Sequence, residues 1–189
     1  MPSIITADAG YGSEENYQFA ETGNITAYVK YNQFDNEQAG IQSKGPFTVE
    51  SFNYDKEQDC YYCPAGQRLD RYGKTKRITD TGYEQDITLY KAKDCKGCQL
   101  RSRCLKNDTD RRILGVNENQ QRLKAIAHKN LTSEEGVRHR KKRPCDVEPV
   151  FAYLKYNHGF TRFMLRGKEK VAIETGLLAL AHNFRKKVA

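Results

Sequence analysis

Residues 4–15 read Ile-Ile-Thr-Ala-Asp-Ala-Gly-Tyr-Gly-Ser-Glu-Glu and predict how the chain begins to fold. The β-branched start predicts a short buried strand ending at Asp8, and the two glycines that follow predict a turn. Ser13 is a suitable helix N-cap, with a helix expected to about Glu21 and a second strand over 25–31. Strand, helix and strand this close together predict a parallel βαβ unit. Asp8 then lies at the carboxyl edge, where such sheets carry functional side chains.

Beyond this unit the sequence pattern changes twice. Residues 32–46 are polar and predict a connecting loop. The next segment is broken by Gly, Pro, Asp and Cys, and its short apolar runs at Phe47–Val49 and Ile87–Tyr90 predict strands of an irregular, β-rich insertion. From Asn117 onward the periodicity is helical. We therefore expect three segments, 1–46, 47–116 and 117–189.

The last segment contains signals for separate helices. Residues 132–135 match a capping box, with Thr132 as the N-cap, and predict a helix start. Pro144 is expected to end that helix, and Asp146 is placed to cap a new one. A final helix with one apolar side is predicted over about 168–186.

Charge is distributed unevenly over the 189 residues. Residues 1–60 carry a net charge of −7, residues 61–189 carry +15, and the whole chain carries +8. This asymmetry favours a polyanionic partner for the later part. No apolar run approaches the roughly 20 residues that cross a bilayer, and no secretory signal is visible. We therefore expect a cytoplasmic protein without a membrane partner.

The cysteines are clustered. They stand at 60, 63, 95, 98, 104 and 145. In a chain without an export signal this indicates metal ligands or reduced thiols rather than disulfides. Four thiolates in tetrahedral geometry favour a structural Zn²⁺. Five cysteines compete for four places, Cys145 is isolated and expected to pack, and the alternative is a set of reduced, buried thiols.

Two carboxylates are candidates for a divalent-cation site. Asp8 ends a strand, and Glu148 is expected in the first turns of a late helix. Lys155 follows seven residues later, two α-helical turns on, and so shares the face of Glu148. Carboxylate oxygens suit Mg²⁺, and such ions can assist phosphoryl displacement. The alternative is that Asp8 only forms a turn and Glu148 only complements a helix dipole.

A basic run over 138–143 holds five cations in six positions. Further cations follow, at Lys155, Arg162, Arg166, Lys168 and Lys170. They could neutralise DNA phosphates. The alternative is a solvated helix face.

Several strings of this sequence resemble the DDE transposases of bacterial insertion sequences. Residues 7–17 are similar to the segment around the family's second catalytic Asp, and 28–32 to its next strand. Residues 143–167 resemble the Glu-bearing segment, and 174–183 the family's ending. The family signature Tyr-x2-Arg-x3-Glu-x6-Lys is matched approximately, as Arg140-x2-Arg143-x4-Glu148-x6-Lys155.

The resemblance implies a partial RNase H-like α/β fold, made of the parallel strand-helix-strand unit and C-terminal helices with a Cys-rich β insertion. It implies metal-dependent DNA cleavage and strand transfer with Mg²⁺ or Mn²⁺, and Asp8 and Glu148 as the second and third acids of the triad. It favours phosphate contacts from Arg143 and Lys155, and Arg140, Arg162 and Arg166 are further candidates for DNA binding. It also favours Cys63 over Cys60, which makes the expected zinc ligands Cys63, Cys95, Cys98 and Cys104.

The family's first Asp and its DNA-binding helices have no counterpart before Asp8. The chain is therefore expected to be the C-terminal part of a transposase, a fragment or half of a split enzyme, with little activity alone. The intact enzyme is expected to be a nucleoid-associated homodimer that acts on double-stranded DNA, at transposon ends and target. The alternative is a zinc-stabilised DNA-binding module without catalysis.

Overall fold

The structure, a computed structural model, describes residues 2–41, 45–105, 109–157 and 159–188. Within α5 below, the side chains of residues 146–148 and 151 also lie outside the described part. The chain divides between Val137 and Arg138 into two compact units. Both strands and helices are present, so the predicted mixed α/β class is confirmed.

The first unit begins with two parallel strands joined by a helix. β1 spans Ile4–Ala7, α1 spans Glu14–Thr22 and β2 spans Thr26–Val29, and β1 pairs with β2 in parallel. The hydroxyl oxygen of Ser13 accepts a hydrogen bond from the backbone N–H of Asn16 at 3.2 Å, as the predicted N-cap should. This cap starts the helix directly after the turn that follows β1.

The segment predicted as a loop over 32–46 contains a short helix, so that prediction is wrong in part. α2 spans Phe34–Gln38, and the Phe34 ring is fully buried. The ring meets Tyr31 edge-on, with 5.5 Å between centroids. One apolar residue in a polar stretch gives no periodicity, which explains why the helix was missed.

The insertion forms a five-stranded antiparallel sheet in the order β3-β4-β5-β6-β7. The strands are β3 Asn53–Asp55, β4 Cys60–Tyr62, β5 Arg68–Ile78, β6 Glu84–Ala92 and β7 Ile113–Val116. The strand predicted at Ile87–Tyr90 is confirmed inside β6. The one predicted at Phe47–Val49 is wrong, because Val49–Ser51 forms a single 3-10 turn. A short helix, α3, spans Arg101–Cys104.

α4, which spans Glu118–Thr132, completes the core of the first unit. Its buried residues Leu123, Ala127 and Leu131 repeat every four positions and pack in one cluster with β2 and α2. Asn117 caps the helix through its side-chain oxygen, which accepts from the backbone N–H of Gln120 at 2.8 Å. The helical pattern predicted from Asn117 onward is thus confirmed here.

A buried carboxylate connects three elements of this unit. Glu14, in the first turn of α1, is only 3% exposed. It accepts hydrogen bonds from the side-chain amides of Gln85 at 2.8 Å, Asn117 at 2.5 Å and Asn119 at 2.8 Å. These amides belong to β6 and to the start of α4. The Glu14 side chain therefore connects α1 to the sheet and to α4 through hydrogen bonds.

α5 spans Glu134–Ala152 without a break, which corrects two predictions. Pro144 lies inside the helix and does not end it, and no new helix begins at Asp146. A proline removes one helical hydrogen bond, yet the bonds of the flanking turns remain. The cap is also displaced by one residue, because the Ser133 hydroxyl rather than that of Thr132 accepts from Gly136 N, at 3.0 Å.

α6 spans Lys168–Val188, as predicted to within two residues. Its apolar side chains Ile173, Leu177 and Leu180 are each more than half exposed. Between α5 and α6, Tyr153–Asn157 forms a π-helical turn.

Candidate active site and cysteine cavity

Asp8 lies where the sequence predicts it, directly after β1. Ala7 stands opposite Val29, and the first backbone N–H after β2, that of Lys30, donates to Ala7 O at 3.3 Å. Asp8 is therefore beside Lys30 at the carboxyl edge of the parallel pair. Its side chain is exposed and does not cap the 3-10 turn Ala9–Tyr11 that it precedes. The Lys30 ammonium is bound to Asp35 at 2.9 Å.

Gly12 explains how the turn after Asp8 fits against β2. A Cβ at this position would lie 2.2 Å from Lys30 O and 2.9 Å from the Tyr31 Cα. No side chain can be placed so close to backbone atoms without moving one of the two segments. The turn that follows Asp8 therefore depends on a glycine at position 12, whereas a Cβ at Gly10 would meet nothing within 4 Å.

Glu148 belongs to α5 in the second unit, and its side chain lies outside the described residues. Asp8 belongs to the first unit. The shared cation that the sequence predicts between them therefore stays a prediction.

The candidate phosphate-binding residues all lie in the second unit. Arg140 and Arg143 are half-buried on α5, where each interacts with other residues. Lys155, Arg162 and Arg166 are exposed. Lys155 lies in the π-helical turn and not in α5, so the seven-residue α-helical spacing from Glu148 does not apply to it.

Glu174 organises the loop that carries two of these cations, a role that sequence reasoning missed. Its carboxylate accepts from Met164 N at 2.9 Å and from Leu165 N at 3.0 Å. These amides lie between Arg162 and Arg166, so the carboxylate holds the backbone that presents both guanidinium groups. The available signal was the presence of Glu174 in the family-like ending of the chain.

The four cysteines predicted as zinc ligands line one cavity of about 20 Å³ in the first unit. We call this space the cysteine cavity; the four are Cys63, Cys95, Cys98 and Cys104. It has room for one particle the size of a water molecule. Cys60 does not line it but lies fully buried in β4, opposite Asp70. Cys145 is exposed on α5, which makes its predicted packing role wrong.

Tight turns bring these thiols together. Cys63 N donates to Gln67 O at 2.9 Å across a turn in which Gly66 has a φ of 76°. After β6, the turn between Cys95 and Cys98 contains Gly97 with a φ of 71°. Both glycines adopt the left-handed backbone conformation, which other residues rarely adopt. This explains why each of the two turns contains a glycine. Cys104 follows on α3.

The pKa of the Cys104 thiol depends on the other groups that line the cavity. Burial raises the pKa of the Cys104 thiol, the positive charge of Arg112 opposes this, and the other three cysteines raise it further. Within the described ranges, no group of three or more His, Cys, Asp or Glu side chains is arranged as around a bound metal ion. The four thiols thus share a cavity, while a zinc site stays a prediction.

No helix among the described residues is long and apolar enough to cross a membrane. Searches of curated proteins and of solved structures found no match. A family model described as "Transposase DDE domain" matches residues 62–188. This range covers more than half of the chain and contains Glu148, the basic residues and the four cysteines, while Asp8 precedes it. The chain belongs to the transposase DDE domain family.

Proposed function

We propose that this chain is the C-terminal part of an insertion-sequence transposase, in which Asp8 and Glu148 act as the second and third acids of the catalytic triad. The family match over 62–188 carries the proposal. The position of Asp8 at the carboxyl edge of β1 supports it, since catalytic carboxylates of α/β sheets lie at such edges.

The proposed fold is RNase H-like, interrupted by the β-rich insertion. The parallel β1–β2 pair with α1 between its strands supports this assignment. In this proposal, 1–46 forms part of the catalytic core, 47–116 is the insertion and 117–189 supplies the helices that carry Glu148.

The proposed reaction is cleavage and strand transfer of double-stranded DNA. Asp8 and Glu148 would hold Mg²⁺ or Mn²⁺, which supplies activation of the attacking oxygen and neutralises the leaving oxygen. Lys155 and the cations of the α5–α6 loop would bind the DNA backbone and orient the scissile phosphate. Transposon ends and target DNA are the proposed partners, with a homodimer acting on the nucleoid in the cytoplasm.

The experiment is strand transfer of a transposon-end duplex in Mg²⁺ by the full chain, with the leading part of a DDE domain supplied in trans. Asp8→Asn and Glu148→Gln are expected to abolish product while DNA binding is retained. Glu57→Gln, an exposed carboxylate elsewhere in the chain, is the matched control. Wild-type levels of product from either acidic-site variant would reject the assignment.

For the cysteine cavity we propose a structural Zn²⁺ held by Cys63, Cys95, Cys98 and Cys104. The chemistry of the donor set supports this, because four thiols line a space of about 20 Å³. A metal would add folding energy to the turns that carry the cysteines, beside the apolar cluster of the sheet.

Zinc content of the purified chain tests this second proposal. We expect one zinc per chain, lost in Cys98→Ser and kept in Cys145→Ser, because Cys145 is exposed and remote in sequence from the cavity. A reduced chain that binds no zinc would contradict it.

A zinc-stabilised DNA-binding module without catalysis is the alternative. The observations that favour it are the clustered cysteines and the net charge of +15 over residues 61–189. If the chain binds DNA both alone and with the leading part supplied in trans, and strand transfer appears in neither case, the module is the better description.

A further inference from the structure

Arg112, the residue directly before β7, contacts both the Phe47 backbone and the cysteine cavity. Its Nη2 donates to Phe47 O at 3.0 Å, and its Nη1 reaches Cys104 O at 3.5 Å. The backbone N–H of Arg112 donates to the Cys95 sulfur at 3.4 Å. The residue therefore contacts two of the four cysteines and also lines the cavity.

The charge of Arg112 has no carboxylate partner among the described residues. No ion pair of the described part involves it, and its Nε atom is buried without a hydrogen-bond partner. Carbonyl oxygens satisfy two of its donors, but they do not balance a positive charge. A half-buried guanidinium is costly unless an anion is close to it.

Four neutral thiols supply no such anion, whereas four thiolates around a divalent ion carry a net charge of −2. We propose that Arg112 is the positioning residue of a tetrathiolate metal centre in the cysteine cavity, where its guanidinium balances the charge of the thiolate–metal complex. This inference rests on the proposed zinc site. It also explains why Arg112 lines a cavity that would receive a metal cation; a second arginine of the lining, Arg101, donates to the carbonyl oxygens of Thr109 and Asp110.

The sign of the effect separates this role from simple repulsion. If Arg112 only repelled the incoming metal, its neutralisation would tighten metal binding. If it stabilises the anionic complex, its neutralisation weakens binding. Outer-sphere partners of metal ligands commonly contribute about 10- to 100-fold in affinity.

The experiment measures the zinc affinity of the full chain by competition with a chromophoric chelator. Arg112→Gln keeps an amide donor for the carbonyl oxygens but has no charge, and we expect a loss of roughly 10- to 100-fold. Arg112→Lys keeps the charge and is expected to stay within about threefold of the unsubstituted chain, an effect of under 1 kcal/mol. Arg111→Met, an exposed neighbour, controls for general charge and should leave the affinity unchanged.

Co²⁺ absorption of the same proteins reports whether four thiolates remain the ligands. We expect the thiolate bands of the unsubstituted chain to be kept in Arg112→Lys and, at saturating metal, in Arg112→Gln.

The inference is overturned if Arg112→Gln binds zinc as tightly as the unsubstituted chain, or more tightly, or if Arg112→Lys is as weak as Arg112→Gln. If Arg112→Gln does not fold, as judged by circular dichroism, Arg112→Lys decides: a loss of tenfold or more refutes the charge role. Absence of any zinc or Co²⁺ binding by the unsubstituted chain refutes the metal site itself, a distinct outcome.

Discussion

Replacement of Glu14 by alanine should destabilise the first unit far more than an ordinary surface substitution. The Glu14 carboxylate is 3% exposed and accepts three side-chain amide hydrogen bonds. Without it the amides of Gln85, Asn117 and Asn119 lose their shared acceptor. Asn117 cannot simply turn its amide, because its oxygen already caps α4 by accepting from Gln120 N at 2.8 Å.

The magnitude follows from the donors that lose Glu14, of which the Asn119 amide keeps a second acceptor, Gln18 Oε1 at 3.2 Å. A buried donor left without a partner costs about 1–3 kcal/mol, and bonds to a charged acceptor lie at the upper end of the range. Water can reach some of the three amides once the side chain is removed, so we expect a loss of about 3 kcal/mol. For a chain of this size that corresponds to a fall in melting temperature of roughly 6–12 °C.

Thermal and urea unfolding of the full chain, followed by circular dichroism, measure this loss. Glu15→Ala is the matched control, since Glu15 lies in the same turn and accepts one bond, from Thr81 at 2.6 Å. We expect it to cost less than about 1 kcal/mol. Equal stability of Glu14→Ala and the unsubstituted chain, or equal losses for the two variants, would refute the reasoning.

Gly12→Ala should destabilise the chain by about 1–3 kcal/mol in urea unfolding, because its Cβ would lie 2.2 Å from Lys30 O, whereas Gly10→Ala should be tolerated. Equal costs at the two glycines would contradict this account. Two tyrosine hydroxyls and an arginine lower the pKa of Asp59 below its unfolded value, so its stabilisation is present near neutral pH and is lost as the pH falls through the folded pKa. In urea titrations, the free energy of unfolding of Asp59→Asn should therefore fall less steeply with decreasing pH than that of the unsubstituted chain. An unchanged pH dependence would count against this account. Glu174→Ala should raise proteolysis of the loop before α6, because two backbone amides lose their acceptor; unchanged cleavage rates would argue against that role.

Local signals predicted the start of the chain well. The β-branched run, the turn glycines and the Ser13 cap act within a few residues of one another, and they correctly place Asp8 directly after β1. The same holds for the β6 strand and for the helical pattern that begins at Asn117. Local reasoning failed at Phe34, where one buried ring anchors a helix in a polar stretch. It also failed at Pro144, where the helix continues in spite of the proline.

The cysteine cavity could be predicted in part from cysteine spacing and in part only from the folded structure. The spacing Cys95-x2-Cys98-x5-Cys104 identified three of its members from the sequence, since nearby cysteines must remain close in any compact fold. Which of Cys60 and Cys63 joins them depends on where β4 ends and on which side of the sheet each thiol lies. Spacing alone left that choice open, and the structure places Cys63 at the cavity and Cys60 inside the strand.

Three features follow from the sequence alone: the local elements at the start of the chain, the set of thiols available for a metal, and the basic character of the second part. The contact of Arg112 with Phe47, and the hydrogen bonds that Glu14 accepts from amides of β6 and α4, arise from the packing of the chain. Caps, turns and periodicity are governed by short-range hydrogen bonding and sterics, so they can be derived from neighbouring residues. Contacts between residues 65 to 105 positions apart depend on how the sheet and helices pack, which neighbouring residues do not encode.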